Sequence, residues 1–188
     1  MFNNNLTTIL ILAIAIASTA LLVGNRFDAT WAGGSGYEAH ATALADVKEY
    51  RRGQTISTGD EQWLFVRFGE ADFWMYEDTQ VKLIDGRKDQ LKINVIQGRV
   101  IVEGPITIEV RELDLVIDGI ASFVHYSWLN EIEVVSIEGE ARLIREDRTE
   151  GISGQALKTT TLAPYVDETI TFDPALSEAA DFYQWALR

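Results

Sequence analysis

Between Gly53 and Leu143 short apolar runs alternate with Gly-centred breaks. WLFVRF, ADFWMY, QVKLI, LKINVI, RVIVE, ITIEV, LDLVI, ASFVHY, IEVVSI and EARLI follow one another. They are punctuated by Thr58-Gly59-Asp60, Gly69-Glu70, Glu77-Asp78-Thr79, Asp85-Gly86, Gln97-Gly98, Gly104-Pro105, Asp118-Gly119 and Glu138-Gly139. Runs rich in Val, Ile, Phe and Trp, broken at roughly 8–12-residue intervals, predict an all-β sandwich or roll of short, mostly antiparallel strands. No helical period intervenes, which excludes parallel α/β folds, whose strands need crossover helices. Within ITIEVRE, Ile106, Ile108 and Val110 alternate with Thr107, Glu109 and Arg111, predicting one wet face; WLFVRF is apolar on both faces and predicts a strand covered on each side.

The flanks follow other patterns. Leu6–Val23, LTTILILAIAIASTALLV, is uncharged and has the length of the roughly 17–25 residues that cross a bilayer as a helix. It predicts a single-pass transmembrane helix. The competing reading is a cleaved secretory signal, since Ala13, Ala15 and Ala17 offer A-x-A spacing; against it, signal h-regions run about 7–15 residues behind a basic n-region, and Met1–Asn5 has no Lys or Arg. Gly24–Gly36 ends in GGSG and predicts a flexible tether, with Phe27 and Trp31 either in the head-group layer or packed on the domain. In Tyr37–Arg52, Leu44, Val47 and Tyr50 at three-residue spacing predict a short helix, the alternative being an irregular first strand.

After Leu143, IREDRTEGISG is a charged connection, and QALKTTTL and ETITF predict two outer strands. Asp173 as cap and Pro174 at the first position predict a terminal amphipathic helix, with Leu176, Phe182, Trp185 and Ala186 on one face, packed on the β domain. The expected division is an anchor over 1–23, a tether and short helix over 24–52, a β domain over 53–145 and a C-terminal extension over 146–188.

Charge narrows the partners. The 188 residues carry 29 acidic against 16 basic side chains, a formal charge of −13, which repels nucleic-acid phosphates and predicts no nucleic-acid binding. There is no Cys, so disulfides, thiolate nucleophiles and Cys-ligated metals are excluded. His40 and His125 lie far apart in sequence with no third ligand in view, and His125 inside ASFVHY reads as an ordinary strand residue. No G-x-S-x-G elbow occurs. Glu131/Glu133 and Glu138/Glu140 alternate on strands; paired carboxylates can serve acid/base chemistry on a sugar or hold Ca²⁺, but solvated strand faces explain them. No catalytic, cofactor or metal site is therefore expected. Trp63, Phe73, Trp74, Tyr76, Tyr126 and Trp128 are concentrated in the β domain. Phe73 and Trp63 are expected in the core, and Trp74, Tyr76 and Trp128 are the candidates for a partner-binding surface.

In order and spacing these phrases resemble the extracytoplasmic FecR domain. The resemblance is carried by Gly53, Ile56, Thr58 and Gly59; by Phe68-Gly69-Glu70 leading into ADFWMYEDTQVKL; by Ile96-Gln97-Gly98-Arg99-Val100; by Asp118-Gly119 before ASFV; by Val135-Ser136-Ile137-Glu138-Gly139-Glu140-Ala141; and by Ser153-Gly154-Gln155-Ala156. It covers about half of the chain. It implies an all-β domain held outside the cytoplasmic membrane by Leu6–Val23, with the amino terminus inside. In FecR-type regulators a cytoplasmic segment upstream of that helix holds a sigma factor. Met1–Asn5 cannot supply an interface of the usual ~800 Å² per partner. The expectation is thus a non-enzymatic, membrane-anchored FecR-like module that binds another envelope protein or a wall polymer. The alternatives are a regulator that signals through a separate cytoplasmic partner and, behind it, an envelope enzyme acting on polysaccharide.

Overall fold

The computed structural model describes residues 27–33, 45–50, 52–68, 70–87, 90–146, 148–153 and 155–188. They form β1 (Phe27–Gly33), β2 (Ala45–Tyr50), β3 (Thr55–Ser57), β4 (Gln62–Phe68), β5 (Ala71–Met75), β6 (Gln80–Arg87), β7 (Gln90–Val110), β8 (Leu113–Tyr126), β9 (Glu131–Arg145), β10 (Arg148–Ile152), β11 (Ala156–Thr160) and β12 (Asp167–Ile170). A 3₁₀ turn over Pro174–Leu176 and a helix α1 over Ala180–Ala186 close the chain. Every pairing among the described strands is antiparallel, in the order β12-β11-β9-β8-β7-β5-β4-β1-β2, with β10 on β9 and β6-β3 on β7.

The expectation of uniformly short strands is corrected. β7, β8 and β9 run 21, 14 and 15 residues straight through Gly98, Gly104, Gly119 and Gly139, where the sequence suggested turns. Gly104 faces Gly119 across one ladder and Gly119 faces Gly139 across the next. Their φ angles are 95°, 137° and 77°. A Cβ on them would run into the backbone carbonyl oxygens of Glu70, Glu138 and Asp118 respectively. Glycine in this seam therefore bends three neighbouring strands at one level instead of reversing the chain.

The bend rolls the sheet onto itself. Val100, Val102, Ala121, Phe123, Ile132 and Val134 on one side of the seam share a single core with Ile106, Ile108, Leu115, Ile117, Ala141 and Leu143 on the other. β7 even meets its own far half: Asn94 Nδ2 donates to the Glu109 carbonyl at 2.8 Å, and Lys92 Nζ pairs with Glu109 at 2.8 Å and with Asp114 at 3.3 Å. The actual reversals around β8 lie at Arg111 and at Ser127–Asn130, with φ of 55° at both Arg111 and Asn130.

Two further expectations change. Within the span read as a tether, Phe27–Gly33 is β1, and within Tyr37–Arg52 the strand alternative holds over Ala45–Tyr50 as β2; the two pair with each other, with a register shift between Ala29 and Trp31, while β1 also pairs with β4. The physical reason is alternation: Phe27, Ala29 and Trp31 alternate with Asp28, Thr30 and Ala32 before the Gly/Ser cluster begins, and a ladder partner outweighs three apolar residues at helical spacing. At the other end, Asp173 Oδ1 accepts from Ala175 N–H at 2.9 Å, but the turn it caps stops at Leu176 and the chain becomes extended at Ser177 before α1 starts. Leu176 is 84% exposed and leaves the stripe, while Tyr183 joins it. Leu6–Val23 lies outside the described residues; among these, no helix is long and apolar enough to cross a membrane.

Candidate partner-binding surface

The outer face of the bent sheet is built from one register row, Phe65–Trp74–Ile101–Ser122–Val135–Ala156. Because the inner face already holds the core, apolar residues in this row need a second cover, and α1 provides it over Trp74 and Ile101, with Trp63, Tyr76 and Ile120 beside them. Phe182 is fully buried, with its ring 5.7 Å from Trp63 and 5.1 Å from Tyr76, and Tyr183 hydrogen-bonds Ser122 Oγ at 2.7 Å.

Arg99 locks this arrangement. Its buried guanidinium donates to Ser177 Oγ at 2.9 Å and to the Tyr183 hydroxyl at 3.3 Å, pairs with Glu178 at 3.1 Å, and lies over the rings of Tyr76 and Tyr183 at 5.9 and 5.6 Å. Burial raises the Tyr183 phenol pKa, with Arg99 and Ser122 pulling the other way. Burial, then the hydrogen bond to Glu77, pushes Tyr76 up to about 12. Both phenols are neutral donors and acceptors at ordinary pH.

This cover divides the three candidate aromatics. Trp74 and Tyr76 are half-buried beneath the chain's own helix. Trp128 is 73% exposed, edge-on to Tyr126 at 5.9 Å, and Leu129 beside it is 52% exposed. The loop over 161–166 is tied to the same turn by Thr161, whose N–H and hydroxyl both donate to the Asn130 carbonyl at 2.7 and 3.1 Å, and Arg111 donates to Asn130 Oδ1. That loop carries two more exposed apolar side chains, Leu162 and Val166. Phe73 is in the core as expected, whereas Trp63 sits partly buried on the α1 side.

The titratable candidates are held in structural roles. His125 is buried, with Nδ1 2.7 Å from the Val95 carbonyl. A carbonyl only accepts, so Nδ1 carries the proton in the neutral ring. Burial lowers this pKa, with the Val95 bond opposing, and Nε2 has no partner. Glu131 and Glu133 do share a face, but Glu131 pairs with Lys158 at 2.9 Å and Glu133 accepts from the Tyr126 hydroxyl at 3.5 Å. Glu138 and Glu140 are exposed beside the Gly139 bend. Among the described residues no group of three or more His, Asp or Glu converges as a metal site.

No protein-family model and no curated protein matches the chain. Two crystal structures of a "putative anti-sigma factor" from Parabacteroides distasonis do match, with TM-scores of 0.53 and 0.52 at 10% identity. The likeness is one of fold. It covers 63% of this chain and 60% of that one, so the match spans well under two thirds of the longer neighbour.

Sequence reasoning missed Arg99, whose only signal is a lone cation opening the apolar strand RVIV, and missed Leu129, Leu162 and Val166. The last two join the Trp128 turn through the β11–β9 ladder, which pairs Thr160 with Glu131, and through the Thr161–Asn130 bonds across 31 residues of sequence.

Proposed function

We propose that the chain is a FecR-like extracytoplasmic binding module, non-enzymatic, anchored in the cytoplasmic membrane by Leu6–Val23 and recognising another envelope protein or a wall polymer. The observation that supports this reading is the fold: over 63% of the chain it is similar to a protein described as a "putative anti-sigma factor". It agrees with the FecR resemblance of the sequence. The exposed end formed by Trp128, Leu129, Leu162 and Val166 is the recognition surface, since a cluster of exposed apolar side chains around a Trp is the usual anchor of a partner.

Protease added to intact spheroplasts should remove the domain, and complete protection would overturn the placement. Photo-crosslinking from a probe at position 129, beside an intact Trp128, should trap in the native membrane a partner that adding Trp128→Ala loses. A wild-type crosslinking pattern in Trp128→Ala would remove this end as the surface.

A second reading, favoured by the neighbour's description, is a regulator that passes an external signal to a separate cytoplasmic partner. Co-purification of a sigma factor with the full chain but not with residues 27–188 would support it, and association with neither would count against it.

A further inference from the structure

β12 ends the hydrogen-bonded order, and among the described residues nothing pairs its outer edge. Edge strands of this kind offer a row of backbone donors and acceptors to an added strand unless charge, Pro or a bulge blocks it. β12, Asp-Glu-Thr-Ile over Asp167–Ile170, has no Pro, no Lys and no register shift against β11. What it has is acid, and acid blocks only partners of like charge.

The side chains along this edge are set by the register. On the outer face, Glu168 stands beside Lys158 and then Glu133, while Ile170 stands beside Ala156 and then Val135. Lys158 Nζ is already held at 2.9 Å by Glu131, so the group Glu131, Glu133, Glu168 and Lys158 holds three carboxylates against one ammonium. Val166, 64% exposed, leads into the strand on the same alternation as Glu168 and Ile170. The presented pattern is apolar, acidic, apolar. On the inner face Asp167 is consumed by Arg145 at 2.9 Å and by Thr159. Thr169 borders a cavity of about 120 Å³ lined also by Glu150, Ser153, Gln155 and Leu157.

We propose that β12 is a β-augmentation site for an extended basic segment of a partner protein. The added strand runs along Asp167–Ile170, places a Lys or Arg opposite Glu168 with apolar residues on either side toward Val166 and Ile170, and sets a small polar side chain beside Thr169. Self-pairing is disfavoured, because it brings two acidic edges together and any register that sets Glu168 opposite Glu168 is directly repulsive. Addition here extends the sheet without breaking an existing ladder. The inference rests on the binding-module reading and names the partner's chemistry at a second surface, next to the Trp128 end.

The test uses the full chain in mild detergent and three synthetic nine-residue peptides: one in which Val and Lys alternate along one face with Ser between them (Val-Ser-Lys-Ser-Val-Ser-Lys-Ser-Val), its counterpart with Glu in place of Lys, and the Val–Lys peptide N-methylated at every second amide. Fluorescence anisotropy follows binding, and backbone hydrogen exchange locates it. The Val–Lys peptide should bind saturably and slow exchange at Asp167–Ile170. The Glu peptide should not bind, and N-methylation of the Lys peptide should abolish binding. Glu168→Lys, a surface change, should weaken the Lys peptide about two- to thirtyfold and restore binding of the Glu peptide. Equal binding of the N-methylated peptide, protection confined to another strand, no binding of any peptide, or a concentration-dependent dimer abolished by Glu168→Lys would each overturn the proposal. None of these results bears on the spheroplast experiment, so the two readings fail separately.

Discussion

Gly119→Ala is the sharpest test of the glycine seam. At φ 137° the residue occupies a region essentially closed to side chains, which costs about 1–3 kcal/mol by itself. The new Cβ would also overlap the Glu138 carbonyl oxygen and crowd the Gly139 Cα. Relief requires parting β8 from β9 at the bend, with one or more ladder hydrogen bonds lost at about 0.5–1.5 kcal/mol each. With one bond lost the sum is about 1.5–4.5 kcal/mol, centred near 3, a large part of the ~5–15 kcal/mol that holds a domain folded. With a urea m-value of about 1–3 kcal/mol/M, the midpoint followed by tryptophan fluorescence should fall by about 1–3 M. Gly151→Ala is the matched control: its φ is not in the left-handed region and no atom lies within 4 Å of its Cβ position. Stiffening the unfolded chain there should leave stability unchanged or raise it by up to about 1 kcal/mol. Because Gly119 and Gly139 share one contact, the double Ala variant should lose less than the sum of the singles. A Gly119→Ala midpoint close to wild type, or additive singles, would refute the seam as the element that bends the sheet.

Phe182→Ala removes a fully buried ring from between Trp63, Tyr76 and Trp185; it should cost about 3–5 kcal/mol in a urea titration and red-shift the tryptophan emission as α1 lifts. Burial lowers the His125 pKa from its ordinary 6.5, so below pH 6.5 the unfolded chain binds the proton more readily than the folded one. Stability contributed by neutral His125 is present above that pH and declines as pH falls through it. His125→Gln, which keeps a donor for Val95 and cannot titrate, should flatten the change in urea midpoint between pH 7.5 and 5.5; an unchanged slope would show that His125 is not its source. Trp128→Ala should move the midpoint by no more than the equivalent of about 0.5 kcal/mol, since the side chain is 73% exposed; a larger loss would mean that the turn is structural.

The β class was legible because strand periodicity is local: alternation and Gly-rich breaks are visible within a window of ten residues. What the glycines do was not. Gly104 beside Pro105, or Gly119 after Asp118, has the composition of a turn, and only the cross-strand alignment 104–119–139 distinguishes a shared bend from three reversals. The true reversals, at Arg111 and Asn130, use non-glycine residues at positive φ and give little local signal. Among the aromatics, Trp74, Tyr76 and Trp128 looked alike. A helix more than 100 residues downstream in sequence covers the first two, and that docking depends on Arg99, a residue without a motif.

The topology also separates the ends of the chain in a way that bears on how the module works. β1 and β2, the described strands nearest the amino terminus, enter the sheet order at the end opposite β12. A link to the membrane through Leu6–Val23 would therefore enter the ladder order through β1 and not through β12. The segment after β12 passes through the Pro174–Leu176 turn into α1, and Arg99 holds it through Ser177, Glu178 and Tyr183. Strand addition at β12 and docking of α1 are thus mechanically adjacent: Ile170 and Phe172, two residues apart, belong to the edge and to the helix cover respectively. If an added strand pulls on that junction, occupancy of the edge should change exchange protection in α1 as well as in β12. Protection gained at Asp167–Ile170 with no change over Ala180–Ala186 would mean that the edge binds without transmitting anything to the outer face.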